Sequence, residues 1–181
     1  TDVCCTSANA VKIVQKIDAP EIIFSPDRNL AAWCARFTDK KIIPWKGFCI
    51  VHEKIRAEDI IQAKKNHPEA LFIAHPECRA DVVDLADRVE STSGMLRFIK
   101  SSPVEKFIIG TEEGIITRLR QDSPGKSFFY PGTAPVCANM KKTRLEDVYN
   151  ALEKMQHEII LPPQIILQAR ASLDRMLEFS A

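Results

Sequence analysis

Much that would classify a protein quickly is missing from this chain. It has no charge excess: 25 basic and 24 acidic residues leave a net +1. That balance offers no reason to expect nucleic acid or a membrane surface as a partner. No apolar run approaches the ~20 residues of a membrane span. The N-terminal TDVCCTSANA has neither the basic stretch nor the long apolar stretch of a secretion signal. Six cysteines in 181 residues are too few for a disulfide scaffold, and no C-x-x-C pair marks a zinc ribbon. Free thiols in a reducing cytoplasm are the expectation, some of them available to a metal.

What is present is a core-forming composition, 45% hydrophobic, in a chain long enough for one large domain or two small ones. Short apolar runs alternate with helical patterns. Strands are expected at Glu21–Phe24, Lys41–Trp45, Ala70–His75, Glu105–Gly110, Lys126–Tyr130 and Glu158–Leu161. Continuous apolarity over such short spans predicts strands buried on both faces. Helices are expected at Ala8–Ile17, Asn29–Phe37, Ala57–Lys65, Arg79–Ala86, Gly94–Lys100, Glu112–Arg120, Thr143–Lys154 and Pro163–Phe179. In the last, Ile165, Ile166, Ala169, Leu173, Met176 and Leu177 form one stripe. The alternation predicts an α/β fold of three-layer αβα units with parallel sheets.

The pattern also repeats. VCCTSANAVKIVQKIDAPEIIF lies over VESTSGMLRFIKSSPVEKFII, matching Val3 with Val89, Thr6 with Thr92, Ser7 with Ser93, Ile22 with Ile108 and Ile23 with Ile109 at one offset of 86. Each copy continues through a turn, a helix, a lysine-led strand and a Gly/Pro loop to a cysteine, Cys49 or Cys137. This divides the chain into residues 1–51, the latter half of one unit, residues 52–137, a full unit, and residues 138–181, a closing segment. The first unit lacks the helix and strand that open the second, so the chain is expected to begin inside a unit and to leave an open apolar sheet edge.

Candidate chemistry gathers where strands end, because loops at the carboxyl ends of parallel strands line the binding crevice. Cys49 and Cys137 hold equivalent places there. Each is either a small buried hydrophobe or a ligand of an iron–sulfur cluster shared between units. Cys4, Cys34 and Cys78 have no repeat partner and read as core or bystander thiols. AHPEC places His75 and Glu77 at a strand end, as a proton-handling pair or as an ordinary turn set by Pro76. The hydroxyl loops CTSAN and STSG open helices, where N–H groups and a hydroxyl bind an anion or simply cap. SPDRN and GTEEG read as helix-starting turns, and His52 and His67 as surface residues.

These runs resemble the quinolinate synthase family. CTSANAV, PDRNL, GFCIVH, AHPEC, STSGM, IIGTEEGI, VCANMKK and LEDVYNAL keep the family's order across almost the whole chain. The resemblance implies a pseudo-threefold arrangement of three αβα domains around a [4Fe–4S] cluster that acts as a Lewis acid. The reaction it implies is the condensation of iminoaspartate with dihydroxyacetone phosphate to quinolinate in NAD biosynthesis. Cys49 and Cys137 fall on two of three cluster cysteines. Ser7, His75, Pro76, Glu77 and Thr92 fall on substrate contacts, with His75 and Glu77 as the catalytic pair. The implied partners are the two small substrates, with transient contact to the enzyme that makes iminoaspartate, and no nucleic acid or membrane. The family's first domain, with the third cysteine, has no match here, so this chain is expected to be incomplete alone. Two other readings stand beside this one. They are another three-domain [4Fe–4S] enzyme, such as hydroxymethylbutenyl diphosphate reductase, and a non-enzymatic two-lobed binding module.

Overall fold

The computed structural model describes all residues 1–181. They divide into two compact units, Cys5–Val136 and Thr1–Cys4 with Cys137–Ala181. The larger holds α1 (Ala10–Lys16), β1 (Glu21–Phe24), α2 (Arg28–Ala35), β2 (Lys41–Pro44), α3 (Ala57–Asn66), β3 (Leu71–Ala74), α4 (Ala80–Val83), β4 (Arg88–Val89), α5 (Thr92–Ser101), β5 (Lys106–Gly110), α6 (Gly114–Asp122) and β6 (Ser127–Phe129). Every strand pairing is parallel: β1 with β2 in one sheet, and the order β4-β3-β5-β6 in the other.

The four-stranded sheet is covered on both sides. Successive side chains point to opposite faces of a strand. Phe72, Ala74 and Ile108 therefore pack with Ile60 and Ala63 of α3 and Val82 and Val83 of α4. Ile73, Phe107, Ile109 and Phe128 pack on the other face with Met95 and Ile99 of α5 and Ile116 and Leu119 of α6. Phe72, Ile73, Phe107, Ile108 and Ile109 are fully buried. Gly110 closes β5 where there is no space for a side chain: a Cβ would stand 2.7 Å from the Phe72 ring.

The two-stranded sheet departs from the expectation of burial on both faces. Ile22, Phe24 and Ile42 meet Ala10, Val14, Leu30 and Ala31 of α1 and α2 on one side. On the other side Ile23 is 77% exposed and Ile43 is exposed as well. Apolar composition describes these strands, but only one face has helices to cover it.

Lysines that lead two of the strands take the same kind of partner. Lys40, leading β2, donates its Nζ to the carbonyls of Val14, Gln15 and Ile17 at the end of α1. Lys126, leading β6, does the same to Ile99 and Ser102 at the end of α5. A helix leaves its last carbonyls unpaired and carries partial negative charge there, so an ammonium group satisfies both needs. The orders α1-β1-α2-β2 and α5-β5-α6-β6 are the same.

In the smaller unit, α7 (Leu145–Glu153) and α8 (Pro163–Ser180) form, with Pro163 in the first turn of α8. Cys4 donates its N–H to the Ser172 carbonyl, and Arg175 reaches the Asp2 carbonyl. The expected apolar stripe of α8 lies open: Ile165, Ile166, Leu173 and Leu177 are all exposed. The strand expected at Glu158–Leu161 does not form, and Ile159 and Ile160 are exposed there. His157 at φ 64° before the segment and Pro162 and Pro163 after it leave an isolated apolar run with no ladder partner. Conversely, β4 forms from Arg88–Val89, which no apolar run announces.

Candidate functional site

Parallel pairing sets Ala74 beside Val89 and Gly110, so His75, the Ser91 loop and Thr111 all follow strands at the same sheet end. His75 continues β3 by donating its N–H to the Gly110 carbonyl, and a tight turn follows in which Cys78 N–H donates back to His75. That turn brings Glu77 N–H within 3.3 Å of His75 Nδ1. His75 is 5% exposed, so it is no surface member of an ordinary turn.

The Cys49 loop is pinned from the other sheet. Asp27 caps α2 through Leu30 N–H and accepts Cys49 N–H with its second oxygen, both at 2.7 Å. Gly47 accepts from Arg28 N–H and passes so close to Pro26 that a Cβ would lie 2.5 Å from its carbonyl oxygen. Asn29 donates to the Glu77 carbonyl and to Glu53, tying this loop to the AHPEC turn.

Between them sits His52, in a 3-10 turn at His52–Lys54. Its expected surface position is wrong: it is 6% exposed, and its Nε2 lies 2.8 Å from the buried Thr111 hydroxyl. Its ring stacks on His75, centroids 4.5 Å apart. Its Nδ1 is 3.1 Å from Glu77 Oε2, near enough to attract but not aligned as a hydrogen bond, and this buried nitrogen has no hydrogen-bond partner. Cys49, His52 and Glu77 offer ligand atoms all within 4.8 Å of one another. His67, also expected at the surface, is half-buried and stacks on Phe129 at 3.6 Å.

The charges follow from this packing. Burial alone would push His52 down, but the adjacent Cys49 and Glu77 outweigh it and raise it to about 9. His52 in turn holds the Cys49 thiol and the Glu77 carboxyl below their ordinary values, against their partial burial. Burial, aided by the charge of His52, lowers His75 to about 4. The result is a protonated His52 that draws the Cys49 thiol and the Glu77 carboxyl toward their ionised forms, beside a neutral His75. Cys34 and Cys78 differ: burial pushes both thiols up to about 12, as suits core residues.

The remaining expected residues take other places in the fold. Ser7 occupies the turn before α1, where Asn9 is the cap and accepts from Thr6. In STSG, Ser91 is the cap of α5, accepting from Gly94 N–H, and Thr92 is exposed at the first helical position. Pro76 lies in the turn between His75 and Glu77. Cys137 belongs to the smaller unit, half-buried, its carbonyl accepting from Lys141 N–H. An open cleft of about 600 Å³ lined by Glu53, Lys54, Arg56, Glu58, Arg79 and Asp81 shares no residue with the cluster and reads as a solvated charged face.

Residues 1–178 match the family model described as Quinolinate synthetase A protein. The chain belongs to the quinolinate synthase family. Quinolinate synthase 1 of Methanosarcina acetivorans is 50% identical over 175 residues, covering 97% of this chain and 58% of that protein. The quinolinate synthase of Methanoregula boonei is 49% identical over 177 residues, and that of Geobacter sp. strain M21 is 50% identical over 177. Each comparison covers 98% of this chain and 58–59% of the relative, so the chain spans about three-fifths of their length. The membership sets aside the reductase reading. No helix is long and apolar enough to cross a membrane.

Cys49 offers a sulfur donor of the kind that binds soft metals. Its thiol is half-exposed and held toward the thiolate, the form that ligates metal, whereas Cys78 nearby is sealed and protonated. His52 is the one member of this cluster that the sequence does not single out. The C-x-x-H spacing of Cys49 and His52 was its signal, since three residues of a tight turn return both side chains to one side.

Proposed function

We propose that this chain carries part of the active site of a quinolinate synthase, which condenses iminoaspartate with dihydroxyacetone phosphate in NAD biosynthesis. The observation that carries the reading is the convergence of Cys49, His75 and Glu77, from two separate family motifs, at one sheet end. Cys49 and Cys137 would each hold one iron of a [4Fe–4S] cluster, with the third cysteine supplied from outside this chain. When bound, the cluster supplies a Lewis acid that polarises substrate and favours loss of hydroxide.

This chain's own side chains do the rest. Glu77 is ionised and accepts a proton, while the neutral ring of His75 donates or accepts one at its far nitrogen. Thr92 and Ser7 offer hydroxyls at helix entrances to substrate carboxylates, and Pro76 fixes the turn between the pair. Residues 1–51 and 52–137 are read as parts of two sequence-related domains. Residues 138–181 would return to a further one, to which the open stripe of α8 is suited. The site is read as cytoplasmic, serving small-molecule substrates with transient contact to the iminoaspartate-producing enzyme.

The test uses a protein of the relatives' full length, reconstituted anaerobically with iron and sulfide. Iron content and substrate-dependent phosphate release are expected, and Cys49→Ala and Cys137→Ala should each abolish both. Retention of iron and turnover by both variants would overturn the ligand assignment.

A further inference from the structure

We propose that Asn29 is a positioning residue of the active site, which sets the place of Glu77 by holding its main chain. On the function proposed above Glu77 accepts a proton, and the role of Asn29 rests on that reading. Asn29 is the second residue of α2, and Asp27 already caps that helix. Asparagine is a poor helix former, so neither capping nor helix propensity accounts for it there. Its amide instead directs both N–H bonds to distant partners. One goes to the Glu77 carbonyl, 48 residues on, and the other to Glu53 Oε2, each at 3.0 Å.

Glu77 needs such a hold. Its carboxylate lies 3.1 Å from His52 Nδ1 and 3.8 Å from His75 Nδ1, attracted to both rings and hydrogen-bonded to neither. Its place is therefore set from the main chain. The peptide between Glu77 and Cys78 is held at both ends. Its N–H donates to the His75 carbonyl, and its carbonyl accepts from Asn29. No backbone N–H donates to that carbonyl, so without Asn29 one end is loose. Asn29 is itself braced. Glu53, which takes its second N–H, is bound by Arg28 at 2.6 Å, and the Arg28 guanidinium lies over the Phe48 ring, 4.5 Å from the centroid. Asp27 meanwhile holds the N–H of Cys49. Three consecutive residues at one helix start thus reach both loops, with Asp27 serving the cysteine and Asn29 serving the carboxylate. Loss of Asn29 should disturb Glu77 and leave Cys49 in place. All of these residues belong to the Cys5–Val136 unit.

The experiment uses a protein of the relatives' full length, reconstituted with iron and sulfide, and reads iron content and substrate-dependent phosphate release. Asn29→Ala should lower kcat roughly 10–100-fold, since misplacing a reacting group by about 1 Å costs up to about 100-fold. Iron content should equal the parent's. Asn29→Asp keeps the shape and loses the N–H donors, whereas Asn29→Gln keeps the donors and changes the shape. A donor role makes Asn29→Asp as slow as Asn29→Ala and Asn29→Gln about tenfold faster than either. A packing role gives the reverse order. Circular dichroism verifies that each variant is folded; if Asn29→Ala is not, the Asp and Gln variants carry the test. Turnover by Asn29→Ala within about threefold of the parent, Asn29→Asp faster than Asn29→Gln, or iron lost in step with turnover would each overturn the role. A parent without phosphate release overturns the proposed function and this role with it. A working parent with an unaffected Asn29→Ala overturns this role alone.

Discussion

Asp27 carries two structural duties on one buried carboxylate, and removing it should show both. One oxygen caps α2 at Leu30, and the other takes the N–H of Cys49. A lost cap costs about 1 kcal/mol. A lost hydrogen bond to a buried charged group costs about 1.5–3 kcal/mol. Asp27→Ala should therefore destabilise the chain by about 3 kcal/mol, or roughly 6–12 °C in Tm for a protein of this size. Asp27→Asn keeps one acceptor and turns an amide N–H₂ toward the other donor. Asparagine caps well, so the cap should survive and the Cys49 bond should be lost, at about half the cost. Urea unfolding followed by circular dichroism measures the midpoint at constant slope. Iodoacetamide labelling read by mass spectrometry reports on the Cys49 loop, which should label faster in both variants. An Asp27→Ala chain within about 1 kcal/mol of the parent, with Cys49 labelling unchanged, refutes the reasoning.

Other expectations are briefer. Cys34 and Cys78 should stay unlabelled in the native chain at pH 8, because both are buried and their thiols are pushed up to about 12; labelling at the rate of Cys49 would contradict this. Gly110→Ala should cost about 1–3 kcal/mol, since its Cβ would collide with the Phe72 ring in a filled core, and a thermal melt checks it. Phe72→Ala should cost about 3–5 kcal/mol, while Ile23→Thr, on the open face of β1, should stay within about 0.5 kcal/mol. Comparable losses from the two would mean that the open face is covered in solution.

Which features could be read from the residues has a physical pattern. β1, β3 and β5 were legible because their cores, EIIF, LFIA and FIIG, are apolar runs ended by turn-forming residues. β4 was not, because Arg88–Val89 borrows its strand character from its neighbour β3 and has no run of its own. The same rule misled at Glu158–Leu161, where an apolar run has no neighbour to pair with. At the site, His75 and Glu77 were legible because a strand end announces them. Whether Cys49 faced solvent or core was not, since that depends on Asp27 holding its loop from 22 residues away. A single histidine after a cysteine loop carries no burial signal, so the sequence alone points His52 toward the surface. Its burial comes from Thr111 on another strand's end, 59 residues on.

The lysines at the heads of β2 and β6 bear on how the chain assembles. α1 has seven residues, too few to persist as an isolated helix in water. Its final carbonyls are met by Lys40, which arrives only when β2 lies beside β1. Helix completion and strand docking are thereby coupled through one side chain. Lys126 couples α5 to the pairing of β6 with β5 in the same manner. Each of these segments should consequently open as a block, with the last amides of the helix exchanging at the pace of the strand that follows it three elements later.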